Sequence, residues 1–296
     1  MTSETREAFG RVGIWSGALH ESRVDDAGRK AIARALSELE ELGYGTVWIG
    51  GSPSPDDAAA VVAATRTITV ATGILSIWDH TAQDVAARIA ALDAHARGRF
   101  VLGLGVSHGP MVPQYTKPYS SMVAYLDALD AATPPVGAGA RVLAALGPKM
   151  LKLAAGRALG AHPYLVTAEH TAEAREALGP DALLAPELSV VLDTDLDRAR
   201  TTARTMLAMY LRLPNYTDNL LRLGFAESDF EDGGSVRLLD ALFALGDAER
   251  VKARTREYLD AGADHVALQV LTADEGGSGL PRAEWRELAE AFGDEL

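Results

Sequence analysis

An uncharged run, Phe100-Val101-Leu102-Gly103-Leu104-Gly105, leads straight into Val106-Ser107-His108-Gly109-Pro110. A strand buried on both faces reads this way, and it delivers a hydroxyl and an imidazole at its carboxyl end. Imidazole titrates near neutral pH, so His108 is a candidate proton donor; the competing reading is a solvated loop histidine. Gly103 and Gly105 weaken a strand unless something approaches the backbone, either a flat cofactor or a crowded neighbour in the sheet. In Leu146-Gly147-Pro148-Lys149-Met150, the glycine admits an oxygen to the backbone and the proline suits a first helical turn. The amides of Lys149 and Met150 would then point outward with the helix dipole behind them, which makes a phosphate cradle, against the ordinary helix start that binds nothing. Thr72-Gly73-Ile74-Leu75-Ser76-Ile77-Trp78 sets Gly73 inside a β-branched run, as a bulge, a packing gap or a peptide lying under a ring system. Trp15, Trp48, Trp78, Met111 and Tyr115 are candidates to line an apolar pocket, against the reading of plain core. His80, His162, His170 and His265 lack metal-ligand spacing and read as structural or surface residues; with cysteine absent as well, no metal site is expected. Gly103 to Gly109 imitates a dinucleotide fingerprint, but a proline-rich loop follows it where a helix should begin, which excludes that fold.

The elements that would position these groups follow from pattern. The chain has 296 residues, 48% hydrophobic and 23% charged, and no run of about 18 apolar residues that would span a bilayer. Its net charge of -13 argues against nucleic acid and anionic membranes as partners. Three of its five lysines, Lys117, Lys149 and Lys152, nevertheless fall in the central region with the motifs, where a basic cluster marks an anion site or simply a solvated surface. Met1 to Gly10 reads as a flexible start without the basic flank and apolar segment of an export signal, so a cytoplasmic protein is expected. Strands are expected at 11–15, 46–49, 68–75, 100–105, 141–145, 164–166, 188–192 and 265–271, with helices between them and a wholly helical insertion over 195–261. Alternation of this kind requires a parallel sheet covered by helices. Eight such units in one chain favour a single closed (β/α)8 barrel, with its chemistry at the carboxyl ends of the strands and the insertion over that face.

Taken in order, Thr72-Gly73-Ile74, Gly98 to His108, Leu143 to Met150 and Ala261-Gly262-Ala263-Asp264-His265-Val266 resemble the luciferase-like flavin and deazaflavin oxidoreductases, more narrowly the actinobacterial branch that uses coenzyme F420. The resemblance covers essentially the whole chain. It implies a barrel that holds a deazaflavin and passes hydride between the ring's C5 and a small organic substrate such as a ketone, alcohol or activated alkene. It also implies a non-prolyl cis peptide at Gly73 to Ile74 propping the ring, Val106 and Ser107 beside the ring, a contact from the Ser76 hydroxyl, and Leu146 to Met150 around a phosphate. Trp15, Trp48 and Trp78 would face the substrate, and a homodimer is an expectation of the same kind. The chain departs from the family in two places: Gly50-Gly51-Ser52 stands where well-known members carry an Asp-His pair, and His108 stands where they carry a glutamate. The proton donor is therefore either His108, the candidate acid/base, or a substrate-side residue that the sequence does not name. The alternatives are an FMN-dependent luciferase-like monooxygenase and a non-catalytic deazaflavin-binding protein.

Overall fold

The computed structural model describes residues 7–273 and 279–296. Its strands are β1 (Val12–Ser16), β2 (Thr46–Gly50), β3 (Thr69–Gly73), β4 (Leu75–Ser76), β5 (Phe100–Gly105), β6 (Arg141–Leu143), β7 (Gly160–Ala161), β8 (Leu183–Leu184), β9 (Glu187–Leu192), β10 (Phe243–Gly246) and β11 (Val266–Val270). Every pairing is parallel, and the order runs β11, β1, β2, β3, β5, β6, β7, β8, with β4 continuing β3 along β5. Only Ala185-Pro186 separates β8 from β9, and that link stays bonded on both sides. The Ala185 amide donates to the Ala161 carbonyl at 3.0 Å, the Glu187 amide to Pro163 at 2.8 Å, and the Ala267 amide to Pro186 at 2.9 Å. Since β9 in turn pairs with β11, the sheet closes on itself as a (β/α)8 barrel.

The helices around it are α1 (Asp26–Glu41), α2 (Pro55–Ala63), α3 (Ala82–Ala91), α4 (Ala94–Gly98), α5 (Pro118–Asp130), α6 (Pro148–Arg157), α7 (Ala168–Leu178), α8 (Leu196–Tyr210), α9 (Pro214–Arg222), α10 (Val236–Leu242), α11 (Ala248–Asp260) and α12 (Arg282–Phe292). Their starts are fixed locally. Asp25 caps α1 through the Gly28 amide, and Ser54 with Asp57 closes a capping box on α2. Strand alternation then separates two cores. Val12, Ile14, Val47, Ile49, Leu188, Val190, Val266 and Leu268 face the helices, whereas Trp15, Trp48, Ala71, Val101, Val142, Leu183, Ala185 and Ala267 fill the barrel interior.

Four expectations need correction. The sixth strand is Gly160–Ala161, not 164–166: Leu165 takes a left-handed φ of 54°, which turns Tyr164-Leu165-Val166 out of the sheet. The insertion is not wholly helical, because β10 pairs with β9 through Phe243 and Ser189; its short apolar sequence continues the leucine pattern of α10 without a break in periodicity. The cap-like Thr81-Ala82-Gln83-Asp84 predicts one helix over 81–96; the structure has two, since Leu92 is extended and Asp93 caps a new start. The amino-terminal segment, whose first six residues lie outside the described ones, is anchored at its end. Phe9 is 3% exposed, closes the bottom of the barrel against Trp48 and His265, and its carbonyl accepts from the Thr46 hydroxyl at 2.7 Å.

Candidate active site at the carboxyl-terminal mouth

From the closed end upward, the barrel axis is filled by rings. The Trp48 indole donates to His265 Nε2 at 3.0 Å, and Nδ1 of His265 then donates to the Gly10 carbonyl at 2.9 Å. His162 stacks on Trp48 at 4.0 Å and 8° and donates from Nδ1 to the Ala185 carbonyl at 2.6 Å. Burial pushes both imidazoles down to about 4, so they are neutral and structural at physiological pH. Trp48, at 0% exposure, therefore belongs to the interior and not to a substrate pocket, which corrects the expectation for it. Trp15 lies one layer higher at 8% exposure and donates its indole proton to the Gly73 carbonyl at 3.0 Å. A Cβ on Gly50 would stand 2.2 Å from its ring. The space that a side chain at position 50 would use is thus taken by tryptophan.

The Gly73 to Ile74 peptide is cis, at the position the family resemblance indicates. Where the chain leaves β3 there, the Thr72 hydroxyl replaces sheet pairing, donating to the Gly103 carbonyl at 2.7 Å and accepting from the Gly103 amide at 2.8 Å. The glycines of β5 follow from this departure. A Cβ on Gly103 would lie 1.8 Å from the Thr72 carbonyl, and one on Gly105 would lie 2.4 Å from the Ile74 side chain. Close packing against the bulge accounts for both of them. Beyond β5, Ser107 has a left-handed φ of 55°, and the Trp78 indole donates to the Val106 carbonyl at 2.6 Å. Trp78 therefore braces this turn. Ile74, Val106, Ser107 and His108 are all half-buried, leaving this edge of the mouth open. Ser76 is buried, and its hydroxyl accepts from the Trp78 amide at 3.3 Å, so it serves the local turn. Met111 is exposed beside this loop, and Tyr115 packs on Trp78 at 5.9 Å.

Across the mouth, Gly147 begins α6 with no side-chain cap, and a Cβ there would meet nothing within 4 Å. The Met150 amide turns back to the Gly147 carbonyl at 3.1 Å, which corrects the expectation that it points outward. The amides of Gly147 and Lys149 have no hydrogen-bond partner among the described residues. Leu146 is held from behind: its carbonyl accepts from His170 Nε2 at 2.9 Å and from Arg222 Nη2 at 3.5 Å. Arg222, on α9, is also bonded to Asn219. Two free amides, a helix dipole and a guanidinium beside an open glycine are what one phosphate requires. Lys149 and Lys152 are exposed on the same helix.

The insertion supplies the rest, and sequence reasoning did not find it. Leu207, Leu220, Leu238 and Leu242 pack with Leu165, Val191 and Leu271 of the barrel, seating α8 and α9 over the mouth. An arc of rings results: Trp15 to Tyr164 at 5.4 Å, Tyr164 to Tyr210 at 5.4 Å, Tyr210 to Tyr216 at 5.1 Å and Tyr216 to His108 at 5.3 Å. The Tyr210 hydroxyl donates to that of Tyr164 at 3.1 Å, which donates to Gln269 Oε1 at 2.7 Å. Beneath them Glu187, 1% exposed, accepts from the Ser189 hydroxyl at 2.6 Å and from the Leu165 amide at 3.1 Å. Burial outweighs those bonds and pushes its carboxyl up to about 7. His108 is met by Asn215, whose Oδ1 lies 3.1 Å from Nδ1. An amide oxygen can only accept, so Nδ1 carries the proton and Nε2 presents its lone pair. Burial lowers the pKa of His108, with the Asn215 bond opposing. Among the described residues no group of three or more His, Cys, Asp or Glu is placed to hold a metal, and no helix is long and apolar enough to cross a membrane.

Residues 11–265 match the family model for luciferase-like monooxygenases. No curated protein matches the chain by sequence. Among solved structures, a coenzyme F420-dependent tetrahydromethanopterin reductase from Methanopyrus kandleri aligns at 17% identity and TM-score 0.69, covering 97% of both chains. An F420-dependent secondary alcohol dehydrogenase, solved with an F420-acetone adduct, aligns at 13% and 0.70, covering 95% of this chain and 98% of that one. The oxygenating constituent of 3,6-diketocamphane monooxygenase from the CAM plasmid of Pseudomonas putida, solved with FMN, aligns at 13% and 0.69, covering 97% of both. At these identities the structural matches establish a shared fold.

Proposed function

Since the chain belongs to the luciferase-like monooxygenase family, an enzyme family of oxidoreductases, we propose that it is a coenzyme F420-dependent oxidoreductase acting on a small organic substrate. The observation that carries a phosphate-bearing cofactor is the cradle at Gly147 to Lys149, with two amides lacking partners among the described residues and Arg222 beside them. The ring of the coenzyme would lie between that cradle and the Gly73-Ile74 edge, against Val106 and Ser107. Bound there, the deazaflavin would supply the carbon that exchanges hydride, and the protein would supply position and proton control. His108, oriented by Asn215 and neutral, offers Nε2 as a proton acceptor and returns that proton in the reverse direction. The half-buried Tyr164 and the insertion above it limit the access of water to the reacting atoms.

Two of the similar structures are F420-dependent and one holds FMN. Both cofactors carry a phosphate, so the cradle alone does not separate them. The basic groups do favour one: Lys149, Lys152 and Arg222 around the cradle suit the polyanionic tail of F420 better than a single phosphate. Anaerobic equilibrium titrations of the full chain with F420 and with FMN, read by the fluorescence of each, test the reading. Saturable F420 binding with weaker FMN binding is the expected result, and tight FMN binding without an F420 signal would overturn it. F420 binding with no hydride transfer to any of a broad substrate panel would instead favour a coenzyme-binding role.

A further inference from the structure

The aromatic arc and Gln269 have no part in holding a cofactor phosphate, yet they are built as a directed unit. Tyr210 donates to Tyr164, so the Tyr164 hydroxyl proton must go elsewhere, and it goes to Gln269 Oε1. That bond fixes which way the amide of Gln269 faces, and its NH2 has no hydrogen-bond partner among the described residues. Gln269 is half-buried on the interior face of β11, paired with Ser189, and so lies at the accessible level of the mouth. Trp15, Tyr164, Tyr210, Tyr216 and the neutral His108 surround it with rings and bring no formal charge. Lys149, Lys152 and Arg222 stand on the cradle side, and the Glu187 carboxyl lies underneath. An anion seated against the arc would lose its hydration without gaining a counter-ion, and a cation would reach only the Glu187 carboxyl, whose own burial favours its neutral form. A neutral flat ligand loses far less and gains ring contacts.

We infer that this mouth selects an uncharged, ring-bearing or otherwise apolar substrate with one accepting oxygen, and that the Gln269 NH2, oriented through Tyr164 by Tyr210, is the group that reads that oxygen. The inference rests on the oxidoreductase reading for the role of the ligand as substrate, but the recognition itself is a property of the arc. It makes Gln269 a specificity-determining residue and Tyr210 the positioning residue that fixes its direction. Tyr210 comes from α8, so the insertion contributes to substrate choice as well as to covering the mouth.

The test uses three probes of similar shape, benzyl alcohol, benzoate and benzylammonium, titrated into the full chain by ligand-observed NMR with and without bound F420. Benzyl alcohol should bind about tenfold more tightly than either charged probe. Gln269→Leu should weaken benzyl alcohol by about fivefold or more, the loss of a hydrogen bond in a mostly apolar site, while the affinity for F420 stays as in the parent protein. Tyr210→Phe removes only the donor that sets the relay, and should weaken the same probe by about twofold to threefold; it serves as the test should Gln269→Leu fail to fold. Equal binding of a charged probe, no binding of any probe to the F420-loaded protein, or unchanged benzyl alcohol affinity in both variants would overturn the inference. Failure of F420 to bind while the probes keep their order would overturn the cofactor reading and leave this one standing.

Discussion

Replacing Glu187 by glutamine should change how stability depends on pH, and the sign follows from where the carboxyl sits. Its native pKa of about 7 lies above the ordinary 4.5 because burial disfavours the anion. Between those values the folded protein holds a proton that the unfolded chain has released, so this group stabilises the fold at low pH and loses that contribution as pH rises through 7. The full difference is about 3 kcal/mol, and the part lost between pH 5 and pH 8 is about 2 kcal/mol. His162 and His265 act in the opposite sense. Each falls to about 4 from an ordinary 6.5, so each disfavours folding below 6.5 and returns about 2 kcal/mol over the same rise in pH. Comparing the parent protein with Glu187→Gln cancels the histidines, because both proteins keep them. Urea unfolding at pH 5, 6, 7 and 8 should show the stability of the variant rising relative to the parent by about 2 kcal/mol across that range. A difference that stays constant with pH would refute the assignment of Glu187 as a carboxyl held protonated under the mouth.

Gly50→Ala should destabilise the protein by about 1–3 kcal/mol by forcing Trp15 off its site, and Trp15→Leu in the same chain should recover most of that loss in urea unfolding. His108→Ala should lower turnover about a hundredfold with F420 affinity unchanged, whereas Asn215→Ala, which frees the imidazole without removing it, should cost less and shift the pH profile of turnover; equal turnover in all three proteins would take His108 out of the chemistry.

Much of the architecture was legible because it is local. A strand buried on both faces, such as β5, reads as an unbroken apolar run, and the regular return of apolar positions marks the helices between such strands. The cradle was legible for the same reason, since Gly147, Pro148 and Lys149 are consecutive. What escaped is either too short or too distant in sequence. β7 has two paired residues and no propensity to announce it, while Tyr164-Leu165-Val166 carries strand-like residues into a left-handed turn. Trp48 looked like a pocket residue because a sequence does not tell which way along the barrel axis a ring points. The arc is the extreme case: Tyr164 meets Gln269 and Tyr210, and His108 meets Asn215, across 105, 46 and 107 residues. The one available signal was the clustering of Tyr210, Asn215 and Tyr216 at the facing ends of α8 and α9, which a polar connection between two helices did not need.

The central claim is that the backbone at Gly147 and Lys149 receives the phosphate of a cofactor, and Gly147→Asp tests it most directly. A side chain there enters open space and leaves the fold intact, but it sets a carboxylate where the phosphate would lie. Fluorescence titration with F420 should show affinity falling by about tenfold or more with the thermal midpoint held within about 2 °C. Affinity equal to that of the parent protein would place the phosphate elsewhere and contradict the account.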